Sequence, residues 1–159
     1  MKFLSLFLGL MITGMGWTAS FIDKHCQPIG VKNSEALLKV AKPSLIILQN
    51  TSDHIIWLTH PVKDPGASAG WTSELSSKRW SALYMSPAKS DFNLACIEST
   101  PGHEQHISCA DVLKVCILTA DVKPENANGT FWAVENIRKK DLMAALAQRG
   151  FEWSMEDKP

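Results

Sequence analysis

Four cysteines and five histidines are the side chains best equipped for chemistry in this chain of 159 residues. Cys26, Cys96, Cys109 and Cys116 could bind metal, act as nucleophiles or pair. Zinc sites bring cysteines in C-x₂₋₄-C pairs, whereas the nearest two here, Cys109 and Cys116, have six residues between them. An even number suits disulfides in an exported chain. Phe92–Glu98 and Ile107–Val115 read as strands, with Pro101-Gly102 between them as a turn. Folding about the Gly102-His103 junction sets Cys96 opposite Cys109, a separation that a disulfide spans. Cys26 and Cys116 would then close a long loop, worth about 3–5 kcal/mol.

Metal and hydrolytic chemistry find weaker footing. A blue-copper site needs two His, a Cys and a weak axial Met, usually close together in one late loop. Here Cys116 is followed by Ile117-Leu118-Thr119-Ala120-Asp121. His103-x-x-His106, with Glu104 between, is a two-ligand clip lacking an evident third ligand. A periplasmic copper- or zinc-binding protein using these two, with His54 or His60, is the alternative function. Gly66-Ala67-Ser68-Ala69-Gly70 has the G-x-S-x-G spacing but falls in a stretch that reads as a Pro/Gly loop rather than a strand-to-helix elbow, and no G-x-G-x-x-G turn or P-loop occurs. No catalytic residue and no cofactor is assigned.

The tryptophans offer binding rather than reaction. Trp57, Trp71, Trp80, Trp132 and Trp153 lie beyond the N-terminal leader. Trp71 and Trp80 flank the polar stretch Thr72–Arg79, and buried indoles are the alternative use. Together with the loop tip Pro101, Gly102 and His103, Trp71 and Trp80 form the expected interaction surface. Asn50-Thr51-Ser52 and Asn128-Gly129-Thr130 match the N-glycosylation pattern.

Sixteen basic and sixteen acidic residues balance, so the basic stripe of a nucleic-acid binder is missing. Met1-Lys2, the apolar run Phe3–Ile12 and the small residues ending in Thr18-Ala19-Ser20 have the order of a secretory signal peptide. The apolar run is about half of what a spanning helix needs. The expectation is a periplasmic or secreted chain cut after Ser20, without an integral membrane span after cleavage.

The elements that must position these residues are mostly strands. Residues 21–43 read as an extended lead-in with a short helix over Ser34–Ala41, ended by Pro43. Leu45–Asn50 and Ile55–His60 read as a hairpin around Thr51-Ser52-Asp53. Trp71–Met85 reads as two strands around Ser76-Ser77-Lys78, or one strand after an irregular stretch. Thr130–Val134 reads as another strand. A helix near 138–149 follows, with Gly150 as its left-handed cap. Phe151–Trp153 reads as a last strand or docked tail. The expected architecture is mainly β: a disulfide-bonded β-sandwich, Ig-like or cupredoxin-like, with a C-terminal helix. Its divisions are a signal peptide at 1–20, the lead-in at 21–43, the sandwich at 44–153 and a frayed tail at 154–159.

The block from Gly70 to Cys116 (GWTSELSSKRWSALYMS…FNLACIESTPGHEQHISCADVLKVC) resembles the enhanced-entry protein B family of intracellular Gram-negative pathogens. The likeness continues from Gly129 to Phe151 (GTFWAVENIRKKDLMAALAQRGF) and includes the Asn50-Thr51-Ser52 region. Its Trp, Gly, Pro-Gly and Cys positions bear on fold rather than reaction. The resemblance implies a β-rich secreted or periplasmic protein linked to host-cell entry, and it supplies no catalytic residue. The expected function is non-enzymatic: contact with a protein partner, in the envelope or on the host, with no nucleic acid involved.

Overall fold

The computed structural model describes residues 17–32, 34–61, 71–87, 92–100, 103–118 and 129–152. In chain order they form α1 (Trp17–His25), β1 (Cys26–Ile29), β2 (Glu35–Leu38), β3 (Ser44–Asn50), β4 (Ile56–His60), β5 (Trp71–Leu75) and β6 (Trp80–Met85). Then come β7 (Phe92–Thr100), β8 (His103–Ile107), α2 (Cys109–Val112), β9 (Leu113–Leu118), β10 (Thr130–Ile137) and α3 (Lys139–Gln148). Sheet A has the order β1-β9-β3-β6-β10, and sheet B the order β2-β7-β4-β5, with β8 also on β7. Every strand pairing is antiparallel. The expected β-sandwich with two disulfides and a C-terminal helix is what the chain forms. No helix among the described residues is long and apolar enough to cross a membrane.

The sandwich is asymmetric, and β3 shows why. Its run Leu45-Ile46-Ile47-Leu48 is buried on both faces, the signature of a strand enclosed from two sides. Ile46 and Leu48 join Leu58, Leu75, Leu83 and Leu94 between the sheets. Leu45 and Ile47 point the other way, joining Ile22 of α1, Leu142, Met143 and Leu146 of α3, and Phe151. Sheet A is therefore covered outside by helices. Asp23 and Lys139 join α1 to α3 through a 2.6 Å ion pair.

α3 ends as its sequence suggests. Gly150 has φ +81°, its N–H donates to Ala147 O at 3.0 Å, and Phe151 N–H donates to Leu146 O at 3.1 Å. This double closure satisfies carbonyls that the last turn leaves open. It also folds Phe151 back into the core beside Leu146. Phe151 is thus a docked residue without strand pairing. Trp153 and the tail at 154–159 lie outside the described residues.

Several expected local pairings are corrected. Leu45–Asn50 and Ile55–His60 do form strands, but β3 and β4 belong to opposite sheets rather than to one hairpin. Asn50 arranges the crossing. Its Oδ1 accepts from Ser52 N–H (2.9 Å) and Ser52 Oγ (2.7 Å), while its Nδ2 donates to His54 O (2.7 Å) and Leu75 O (2.9 Å). An Asx-type turn of this kind directs the chain across the sandwich instead of back along β3. The same Asn50 is fully buried, so this glycosylation-pattern asparagine is sealed in the fold; Asn128 lies outside the described residues.

β5 and β6 also lie in opposite sheets. Lys78, at φ +58°, turns the chain between them. Its Nζ reaches Thr51 O at 2.5 Å and Asp53 at 3.0 Å. That hydrogen bond, with the charge behind it, holds the Asp53 carboxyl below its usual range.

The lead-in is not a separate segment. Residues 21–25 are helical, with Phe21 stacked on His25 at 4.4 Å as an i,i+4 pair. Glu35–Leu38 is a strand, not a helix: Ala36 and Leu38 are buried while Leu37 is 55% exposed. A helix of one or two turns is marginal alone, and pairing with β7 offers a full ladder instead. The sandwich thus begins at β1, before residue 44. Ile107–Val115 is likewise broken. β8 ends at Ile107, and the single turn α2 carries the chain into sheet A as β9.

Candidate interaction surface

The cysteines pair as Cys26–Cys116 and Cys96–Cys109. Their geometry differs from the expected register. Cys96 stands opposite Ile107, not Cys109, because the β7–β8 register pairs Thr100 with His103. Cys109 lies two positions further on, as the first residue of α2. The curl of that turn brings its Cα to 5.3 Å from that of Cys96. Cys26–Cys116 joins edge strand β1 to β9, with Cα atoms 5.4 Å apart.

Of the five positions expected to form a binding surface, the three that are described, Trp71, Trp80 and His103, do not come together. Trp80 opens β6 in sheet A, half-buried, with Lys139 Nζ 5.4 Å from the centre of its ring. Trp71 opens β5 in sheet B, opposite His60. His60 Nδ1 lies 2.7 Å from Asn93 O, near the start of β7. His103 pairs with Thr100 at the far end of β7. Seven residues at ~3.3 Å each separate those ends by about 23 Å. Pro101 and Gly102 lie outside the described residues.

The histidines are also dispersed. His103 and His106 stand three positions apart on β8, an odd separation, whereas same-face residues on a strand recur every two. His60 stacks on Phe92 at 4.1 Å, and His54 Nδ1 lies 4.0 Å from Glu98. Among the described residues, no group of three or more His, Cys, Asp or Glu side chains is arranged to hold a metal ion.

A serine–carboxylate contact exists between Ser73 Oγ and Glu135 Oε1, at 2.6 Å. It belongs to a seam between β5 and β10. Beside it, Asn136 Oδ1 accepts from Ser76 N–H (2.9 Å) and Ser81 Oγ accepts from Asn136 N–H (2.9 Å). No described histidine joins that seam, so its geometry is that of an interlock between sheets.

The open surface is the outer face of sheet B. Register places residues of one face in rows. One row runs Glu74–Trp57–Ile97–His106 across β5, β4, β7 and β8. The next runs Thr72–Thr59–Ala95–Glu35, and Leu37 pairs with Asn93 beyond it. Trp57 and Ile97 are half-buried at the centre, while His106, Thr72, Glu35 and Leu37 are exposed. Thr59 and Thr72 hydroxyls meet at 3.5 Å, and Asn93 Nδ2 donates to Glu35 Oε2 at 3.1 Å. The helices α1 and α3 pack on sheet A, and no described helix lies over this row. The result is an aromatic and aliphatic centre with a polar and acidic rim.

Trp57 was not singled out from sequence, although a signal was present. In Ile56-Trp57-Leu58 the indole has the parity opposite to two aliphatic residues, and both of those are buried between the sheets. Among the described residues, β8 adds His106 to this face.

Comparison with known proteins returned no match: no family model fits the chain, and no curated protein or solved structure is similar to it.

Proposed function

We propose that this is an exported, non-enzymatic binding module that recognises a protein partner through the outer face of sheet B. The observation carrying this reading is the asymmetry of the sandwich: helices cover sheet A, whereas sheet B presents Trp57 and Ile97 within a polar rim. Aromatic anchors surrounded by polar residues are the usual centre of a protein interface. Two disulfides fit an oxidising compartment, in agreement with the signal-peptide pattern. The resemblance to the enhanced-entry protein B family extends the proposal to a partner met during uptake by host cells, with the periplasm or the medium as the place of action.

Photo-crosslinking residues placed at Thr59, His106 and Leu37 test the face directly, with Lys140 on α3 as the control site. The expected result is a discrete adduct from the three sheet B positions in envelope or host-membrane preparations. That adduct should disappear in a Trp57→Ser variant that keeps both disulfides and its melting temperature. Adducts of equal yield from Lys140, or adducts unaffected by Trp57→Ser, would reject this face as the binding surface.

A further inference from the structure

The two disulfides live in different surroundings. Cys96 and Cys109 are both fully buried, within the layer between the sheets. Cys26 and Cys116 are only partly buried, at the margin of the core over sheet A, and border a groove of about 710 Å³ on the outer side of that sheet. Ile22 and Asp23 of α1, Trp80, Lys139 and Lys114 line the same groove. Lys114 precedes Cys116 by two residues on β9 and therefore shares its face, with Cα atoms about 7 Å apart. It is exposed and, among the described residues, has no ion-pair partner.

We propose that Cys26–Cys116 is a site of thiol–disulfide exchange, open through this groove to the thiolate of a dithiol reductant, while Cys96–Cys109 is a sealed structural bond. Exchange requires access of a thiolate to one sulfur and a stabilised leaving group on the other. The reductant thiolate attacks Cys26 Sγ, the Cys26–Cys116 bond breaks, and Cys116 leaves as a thiolate beside the Lys114 ammonium. A nearby cation favours the thiolate over the thiol. The reductant's second thiolate then attacks its own sulfur in the mixed disulfide and releases Cys26. The protein gains two electrons and, at the thiols, two protons, and the reductant leaves as a disulfide.

The bond broken is the covalent tie of an edge. Among the described residues β1 pairs only with β9, across four residue pairs, and one of the four is Pro28, which has no N–H to give. Without the disulfide, α1 and β1 are held by non-covalent contacts, among them burial of Ile22, packing of Phe21 and Ile29 and the Asp23–Lys139 pair. Reduction therefore loosens the N-terminal edge of sheet A and leaves sheet B and its disulfide in place.

The test is stepwise reduction of the intact oxidised protein with dithiothreitol under native conditions, alkylation at intervals, and mass spectrometry of each cysteine. The expected result is labelling of Cys26 and Cys116 at least about tenfold faster than Cys96 and Cys109. Lys114→Glu should slow the fast pair several-fold, and Lys114→Arg should leave it unchanged. A Cys-x-x-Cys oxidoreductase whose resolving cysteine is changed to serine should be trapped on Cys26. Simultaneous labelling of all four cysteines would overturn the proposal, because it marks reduction through global unfolding. Trapping on Cys96 or Cys109 would overturn it too, and equal rates for Lys114→Glu and wild type would remove Lys114 from the mechanism.

Discussion

Asn136 grips Ser76 with both ends of its side-chain amide: Oδ1 accepts from the Ser76 N–H at 2.9 Å, and Nδ2 donates to Ser76 Oγ at 3.1 Å. It does so from φ +52°, a left-handed backbone in which asparagine is among the few tolerated residues. The grip lies where the β10–β6 register slips, between Val134 and Ile137. An irregularity in one edge strand has thus become the clasp that closes the sandwich against β5.

Asn136→Ala should therefore destabilise the fold by about 2–3 kcal/mol, through lost hydrogen bonds and the unfavourable φ together. Asn136→Gly removes the same bonds but relieves the backbone, so its cost should be smaller by about 1 kcal/mol. Urea unfolding of the two variants measures the difference. Equal losses would show that the backbone conformation contributes nothing.

Asn50 should be the least replaceable polar residue. All four of its side-chain hydrogen-bonding positions are used, at full burial. Asn50→Asp keeps the size but aims a carboxylate at the carbonyls of His54 and Leu75. A loss of about 3 kcal/mol or more at neutral pH follows, partly recovered in acid as the carboxyl protonates. Stability of Asn50→Asp measured across pH 4 to 7 checks both the size and the direction.

The chain has one tyrosine, so Tyr84 can be titrated alone. It is 1% exposed, near Phe131 (5.1 Å) and Phe151 (5.8 Å), and burial pushes its phenol up from the ordinary value of 10.0. Above pH 10 the unfolded chain ionises while the native one keeps its proton. The unfolded state then binds fewer protons, and stability falls with rising pH. Phenolate absorbance should appear above pH 10 in native protein and near pH 10 in denaturant; coincident midpoints would contradict the packing described for Tyr84.

At the end of α3, Gly150→Ala should cost about 1 kcal/mol. Nothing lies within 4 Å of where its Cβ would be, so the penalty comes from the backbone alone. Phe151→Ala should cost about 3–5 kcal/mol, because its ring is 4% exposed in the core over sheet A. Thermal melts of the pair separate the cap from the residue that the cap delivers. A neutral Phe151→Ala would mean that the tail does not hold α3 down.

Much of this architecture was legible as strands and little of it as pairings. The apolar run of β3, the alternation in β4 and the turn at Gly150 follow from residue types and spacing; the disulfide partners were as expected, but Cys109 reaches Cys96 from the turn of α2 rather than from the facing strand position. Sheet membership does not, because a turn such as Asn50–Asp53 can return the chain to its neighbour or send it across the core. Which of these occurs depends on the carbonyl of Leu75, 25 residues away. The same holds for the surface. Parity placed Trp57 opposite Ile56 and Leu58, but its accessibility depends on which sheet the helices cover. Ile22 and Leu142, far apart in sequence, decide that together.

The crossings from β3 to β4 and from β5 to β6 also govern how this chain must find its shape. β3 lies between β6 and β9, so its ladders join residues that are dozens of positions apart. Non-local pairing of this kind slows the search, because loop closure is unfavourable before the contacts that reward it are made. The β7–β8 ribbon, by contrast, closes locally. On that ground it is expected to form early, with the enclosed central strand among the last to be walled in.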